Sequence, residues 1–426
     1  MTNTHPDHSA PEVFLSPGVR TPFAKAGGAY VHQSSVELSL PVLKEMVGRS
    51  RPDLLLWGQV IPDPTISNLA RDLLWAADLD RTIPAFSSVL ACATSSVMAL
   101  QAAGMVGKGG THLALVGGVE SMSHAAFSVK YRVTERLLGE FAADPAKGWE
   151  SFSQLTREDF DLPTRGWSGR NPGHSMGDYM EVTAQEMGLG RTEQDQWALR
   201  SHRGAIEGQD SGFFSDLVLP HAGVAQDTFP RRDTSLEKLA KLKPVFDRPP
   251  GKGTLTAGNA SPLTDGAAGL WVGDREGLAR MGLEPQVRLV DWEMAAVDYE
   301  KEGMLMAPAR AIPRLLSRHH LRADEVALWE IHEAFAAQVL ANLRAVGDPV
   351  YRREKAGVDF DLGEIPQDRV NPHGGSLALG HPFGATGARI LSQAAKELTS
   401  MARGSFGVVS ICAAGGQSTV TLLQRV

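Results

Sequence analysis

Along the chain, short apolar runs bounded by glycine, proline and aspartate alternate with longer stretches in which apolar residues return every three or four positions. The first pattern belongs to strands buried on both faces, the second to helices with one face in a core. Taken in order, it predicts a strand at 12–15, a solvent-exposed turn at 18–22, a helix at 36–47, a strand at 53–60 ending in Gly58-Gln59, a helix at 68–77 and a strand at 113–117. Before that last strand, residues 83–107 carry no charge and are long enough to span a bilayer. Ser87, Ser88, Thr94, Ser95, Ser96 and Gln101 lie within the run, so a buried strand, turn and helix is the better reading.

From about 127 to 246 the texture turns polar and irregular, with helices near 178–187 and 193–209, as expected of an insertion over the sheet's edge. Within it, apolar residues at 129, 133, 137, 138 and 141 have helical spacing, and Lys130, Arg132 and Arg136 accompany them. That spacing fits a helix of the insertion and leaves a membrane-surface contact open. Residues 254–272 return to strand, helix and strand. A second unit then runs strand 286–291, helix 307–319, strand 326–330, helix 332–343, a glycine-rich stretch with its helix, and strands 407–411 and 419–423. Such alternation is an α/β pattern with a largely buried sheet. Each half places a cysteine at the end of a central strand, although residue identity between the halves is too weak to establish a repeat.

Composition narrows the class. A chain of 426 residues with 42% apolar and 21% charged residues has room for two or three domains and reads as an ordinary soluble protein. Its net charge of −7 argues against nucleic-acid binding, which needs a basic face. Two distant cysteines do not make a disulfide scaffold and fit a reducing compartment. Residues 1–12 form a polar tail without an arginine or an apolar core, and the last residues carry no peroxisomal tripeptide, so a cytoplasmic setting is expected.

The reactive residues stand in unusual surroundings. From Asn371 to Arg389, glycines at 374, 375, 380, 384 and 387 surround His381, and Pro382 stiffens the backbone just after it. This is a shaped loop feeding a helix near Gly384. Cys92 and Cys412 each follow an apolar run and precede small residues, and His332 occupies a like place after 326–330. Four reactive side chains are therefore expected at four equivalent strand ends. A thiol facing a helix N-terminus is expected to have its pKa lowered, which would favour a thiolate at Cys92. "HEAFA" lacks the second histidine of a zinc-protease helix, and neither a dinucleotide fingerprint nor a phosphate-binding loop occurs, so no metal, NAD or ATP is expected.

Together the Cys92 segment, GGVESMS at Gly117–Ser123, GNASPLTDGAA at Gly258–Ala268, HEAFAAQ at His332–Gln338, GGSLALGHPFGATGAR at Gly374–Arg389 and CAAGG at Cys412–Gly416 resemble the thiolases, in that family's order and over most of the chain. The resemblance implies two similar βαβαβαββ halves in a layered α/β/α/β/α core with an inserted loop domain. Residues 1–126 and 248–275 would form the first half, 127–247 the insertion and 276–426 the second half. It also implies a 3-ketoacyl-CoA thiolase: Cys92 carries the acyl group, His381 activates it, Cys412 shuttles the proton, and the N–H groups of Cys92 and Ala414 with His332 and His381 hold the oxyanions. Coenzyme A is the implied co-substrate, with no permanently bound cofactor. Ser261 is matched to a position near the pantetheine, and Arg231 to one near the nucleotide phosphates. Arg232 beside it leaves open a plain solvated basic pair.

Most thiolases carry asparagine where this chain has His332. HEAF is similar to the β-subunit of trifunctional β-oxidation enzymes, which implies degradative chemistry, acyl-CoA substrates and an enoyl-CoA hydratase/3-hydroxyacyl-CoA dehydrogenase partner subunit. A homodimer or dimer of dimers is implied by the family. A biosynthetic acetoacetyl-CoA thiolase is the alternative. The Cys–His–His set also resembles decarboxylating 3-ketoacyl synthases, but those have no use for a thiol base such as Cys412.

Overall fold

The computed structural model of the chain describes residues 12–161, 174–246 and 251–426. Residues 1–11 of the polar tail, 162–173 and 247–250 lie outside them. Glu12 is tied down by Arg275 at 2.9 Å and Arg288 at 3.2 Å.

Nine strands form one continuous sheet, and the two-residue strand Ala24–Lys25 pairs with Thr264–Gly273 beside it. Val13–Ser16 joins its two halves by pairing antiparallel with both Thr264–Gly273 and Val287–Ala296. From that junction the first half runs Val13–Ser16, Thr264–Gly273, Leu113–Glu120, Leu54–Gly58, Ala85–Phe86, and the second Val287–Ala296, Gln417–Arg425, Phe406–Ala413, Val326–Ile331. In each half the order is first strand, last, last but one, second. The last two pair antiparallel, and the last but one runs parallel to the second. Topology thus carries the repeat that residue identity does not.

Both faces of these strands are covered, which explains their unbroken apolar runs. Leu54, Leu56, Ala114 and Val116 face a central layer with Met98, Ala388 and Leu391, and so do Val409 and Ile411 of the other half. The alternate residues Leu55, Trp57, Leu113 and Leu115 pack with Val42, Leu43 and Leu73 on the outside. On the second half's outer side, Val408 and Val420 pack with Ile312, Leu315 and Val339. The central layer is the helix pair Thr94–Met105 and Phe383–Thr399.

Several expectations are corrected. The 18–22 turn is buried, because the insertion covers it: Arg20 pairs with Asp227 at 2.5 and 2.7 Å, and its backbone bonds Leu217 and Leu219. Residues 254–272 contain no helix. Turns around Asn259 lead directly into the ten-residue strand Thr264–Gly273. The insertion packs through Met180, Ala184, Trp197 and Ala198 onto the helix Ala336–Gly347, not over a sheet edge. That helix begins four residues after His332, since Gln338 Oε1 and Asn259 O take up the N–H groups of Ala334 and Ala336.

Candidate active site

The four reactive side chains occupy two kinds of position, not four equivalent ones. Cys92 and His381 each stand two residues before a helix of the central pair, Thr94–Met105 and Phe383–Thr399. Cys412 lies near the end of Phe406–Ala413, and His332 follows Val326–Ile331, its N–H bonded to Ser410 O at 2.8 Å. The strand preceding Cys92 is the two-residue edge strand Ala85–Phe86, not a central one. Between them Ala91 turns the chain with a φ of 44°, a conformation that a residue with a side chain adopts at a cost.

The two helices meet at their N-terminal ends. A Cβ on Gly387 would lie 2.3 Å from Ser96 N, and Ala388 N donates to Ser95 Oγ at 2.8 Å. Among the glycines around His381, Gly374 and Gly380 have φ of 76° and 99°. Gly375, Gly384 and Gly387 serve close approach instead: a Cβ on Gly384 would stand 2.4 Å from Val119 O.

This framework brings Cys92 Sγ and one ring nitrogen each of His332 and His381 to within 4.8 Å of one another. The two imidazole rings lie 4.2 Å apart at 50°. Each Nδ1 is held by a hydroxyl, His332 by Ser376 Oγ at 3.0 Å and His381 by Thr386 Oγ1 at 2.7 Å, and each Nε2 is buried without a partner among the described residues. Thr386 Oγ1 donates its own proton to Pro382 O at 2.9 Å, so it accepts from His381 Nδ1–H and leaves the Nε2 lone pair free. His381 is thereby preset as a base. Its backbone is fixed by Thr264 Oγ1 at 2.9 Å and by a bridge to Leu263.

The site rests uncharged. Burial pushes the Cys92 thiol up to about 12, against the backbone N–H groups of Ala414 and of Cys92 itself, which both reach the sulfur. The expectation of a lowered thiol pKa is therefore overturned: burial outweighs the helix N-terminus at this sulfur. Cys92 keeps some exposure, whereas Cys412 is buried and its thiol is raised further from the ordinary range by that burial and by the nearby Cys92. Burial, followed by the charge of Arg389, lowers His381 to about 3, and burial keeps His332 well below its ordinary value.

Family profiles described as the thiolase N-terminal domain and the thiolase C-terminal domain match residues 13–276 and 283–425. The chain belongs to the thiolase family. It is 34% identical to a 3-ketoacyl-CoA thiolase of Yersinia pestis (strain Pestoides F) over 419 residues, 96% of this chain and 95% of the relative. A crystal structure of the Bacillus anthracis acetyl-CoA acetyltransferase superposes with a TM-score of 0.81 at 29% identity, covering 98% of this chain and 99% of that one. The Acat5 thiolase from Ascaris suum, in complex with coenzyme A, gives 0.76 at 26%, covering 97% and 100%. The protein is thus a thiolase-family acyltransferase.

Two carboxylates that the sequence reading did not single out hold this thiolase's site together. Glu120 accepts from the N–H groups of Val60, Ile61 and Gly384 at 3.1, 3.0 and 3.1 Å, tying the loop of His381 to the opposite half. Burial pushes it up to about 8 against those three donors. Glu333, beside His332, accepts from Trp197 Nε1 at 3.1 Å, Ser201 Oγ at 2.7 Å and Asn371 Nδ2 at 2.8 Å. Their only sequence signal is a place inside the GGVESMS and HEAF motifs.

Ser261 donates its N–H to Ala334 O at 3.0 Å, and the neighbouring Ala260 and Leu263 bridge Phe335 and His381. Arg231 lies apart and exposed, its backbone N–H bonded to the buried His202 ring at 3.4 Å. Arg232 is engaged by Asp210 at 2.7 and 2.5 Å, which leaves the Arg231 guanidinium without an ion pair among the described residues.

Proposed function

We propose that this protein is a 3-ketoacyl-CoA thiolase of fatty acid β-oxidation, cleaving its substrate with coenzyme A to acetyl-CoA and an acyl-CoA two carbons shorter. The observation that carries the reading is the convergence of Cys92 Sγ with one ring nitrogen each of His332 and His381 within 4.8 Å.

His381 Nε2 takes the proton of Cys92 as the sulfur attacks the 3-keto carbon. The oxygen of that tetrahedral centre is held by the N–H groups of Cys92 and Ala414. The bond from C2 to C3 then breaks and its electron pair goes to C2, giving the enolate of acetyl-CoA. Cys412 protonates C2 while the imidazoles of His332 and His381 face the enolate oxygen. Coenzyme A enters, gives its thiol proton to the Cys412 thiolate and attacks the acyl-enzyme. Cys92 leaves and recovers its proton from His381. A resting site of neutral thiols and imidazoles supports this cycle, because Cys92 and Cys412 start with the protons they give up and His381 is uncharged and able to receive one.

Ser261, on the segment bridging both catalytic loops, would lie along the pantetheine, and Arg231, free where Arg232 is engaged, would meet the nucleotide phosphates. No permanently bound cofactor is required. His332 in place of asparagine favours degradation of acyl-CoA substrates. Likeness to an acetyl-CoA acetyltransferase of known structure supports the biosynthetic acetoacetyl-CoA reading as the alternative.

A homodimer or dimer of dimers is in keeping with the edge strand Ala85–Phe86 and the 59% exposed Val89 beside it. The helices Tyr131–Ala143 and Pro145–Ser153 expose Tyr131, Leu138 and Trp149, a surface open to a hydratase/dehydrogenase subunit or to a membrane face. Among the described residues no helix is long and apolar enough to cross a membrane, and a cytoplasmic setting is proposed. A thiolysis assay over a ladder of 3-ketoacyl-CoA chain lengths, with and without such a subunit, tests the reading. CoA-dependent loss of substrate at several chain lengths supports it, turnover of acetoacetyl-CoA alone points to the alternative, and malonyl-dependent condensation would sink both.

A further inference from the structure

We propose that Arg389 is a positioning residue that acts through Ser376 to fix His332 as a hydrogen-bond donor at Nε2, the opposite protonation pattern from His381. Ser376 Oγ has two partners among the described residues, His332 Nδ1 at 3.0 Å and Arg389 Nη2 at 2.8 Å. A guanidinium only donates, so Arg389 occupies a lone pair of the serine oxygen. The serine proton then has one acceptor within reach, His332 Nδ1. If His332 carried its proton at Nδ1 instead, the ring would donate to the serine and the buried hydroxyl proton would be stranded. The satisfied arrangement puts the proton on Nε2, which is buried with no hydrogen-bond partner among the described residues, in a ring 4.2 Å from that of His381.

Arg389 suits this task because it is buried and remains a cation. It is 3% exposed, and although burial brings it down to about 10, that still leaves it protonated at neutral pH. Among the described residues its Nε and Nη1 have no hydrogen-bond partner, so none of their carboxylates clamps it away from the serine. The same charge lies behind both imidazoles and opposes a cation between them. With Nε2 of His332 already protonated, the Cys–His–His set is built to receive an anionic oxygen, not a metal ion. The inference rests on the thiolase reading for what that oxygen is, but the protonation pattern is a property of the protein alone.

Nitrogen-15 NMR of histidine-labelled protein reads the pattern directly, with His332 assigned by its absence in His332→Gln. The resting wild type should show His332 protonated at Nε2 and His381 at Nδ1. Arg389→Lys keeps an obligate donor and should keep the pattern. Arg389→Gln offers an amide oxygen to the serine, freeing Ser376 to accept, and should shift His332 toward the Nδ1–H form with kcat down about 100-fold and KM little changed. Ser376→Ala should mix the two forms, and Ser376→Thr should restore one. His332 protonated at Nδ1 in the wild type, or Ser376→Ala with unchanged resonances and kcat, would overturn the proposal, even if the arginine variants fail to fold. An Nε2–H pattern in a protein with no thiolysis at any chain length would instead retain the positioning and sink the function.

Discussion

His332 and His381 lie ring to ring at 4.2 Å, yet neither Nε2 bonds the other. Two neutral imidazoles so close could form a hydrogen bond and cancel each other's chemistry. Separate hydroxyls prevent it by turning each ring about its own Nδ1. In the proposed cycle one histidine would take a proton from Cys92 while the other faces the developing anion, a division of labour between identical side chains that their different hydroxyl neighbours would set.

The resting Cys92 should be a thiol. Because burial raises it to about 12, thiolate absorbance near 240 nm should be absent at pH 8 and emerge only in strongly alkaline solution. Since His381 is lowered to about 3, the acid limb of kcat/KM should show no titration near 6.5. A thiolate band at neutral pH would mean a preformed thiolate–imidazolium pair and would contradict the uncharged resting site.

Cys92→Ser should abolish turnover, because the alcohol is a far poorer nucleophile against the same base. Cys412→Ser should still allow Cys92 to be acylated from acyl-CoA, seen by mass spectrometry as an intact acyl adduct, but should block hydrogen exchange into acetyl-CoA. Near-normal thiolysis by Cys412→Ala would remove the second sulfur from the proton path.

Gly387→Ala should cost more activity than stability. Its Cβ would stand 2.3 Å from Ser96 N, so the helices that carry Cys92 and His381 would have to separate. Overpacking of this kind costs about 1–3 kcal/mol, enough to lower the melting temperature without unfolding a chain of this size. The reacting atoms would be displaced at the same time, and kcat should fall about 100-fold. Unchanged kcat in a destabilised variant would show that the helix contact does not set the geometry.

The sequence made the reactive residues legible because each is embedded in small residues and glycine, a composition that only close packing around a site explains. Alternating strands and helices were equally plain, since both sheet faces are covered and the strands read as unbroken apolar runs. What one chain's pattern could not disclose lies between distant segments. The buried 18–22 turn depends on Asp227 more than two hundred residues away. The raised Cys92 thiol depends on burial in the assembled cleft, which outweighs the helix N-terminus visible locally. Glu120 carries no local sign of its role, which comes from three backbone donors, one of them from the opposite half.

Acid should destabilise the fold through its buried imidazoles, and His202 allows this to be measured outside the chemistry. Burial, followed by the charge of Arg231, lowers His202 from 6.5 to about 4. The unfolded chain therefore binds this proton more readily than the folded one, so the contribution is fully present above about pH 6.5 and is lost as pH falls toward 4. The shift corresponds to about 3 kcal/mol over that window. His381 and His332 act with the same sign, so the melting temperature should drop steeply between pH 6.5 and 4. His202→Asn retains an acceptor for Arg231 N–H but cannot be protonated in this range. Its melting temperature should fall less steeply with acid than that of the wild type, and parallel curves for the two proteins would show that His202 is not held neutral by the fold.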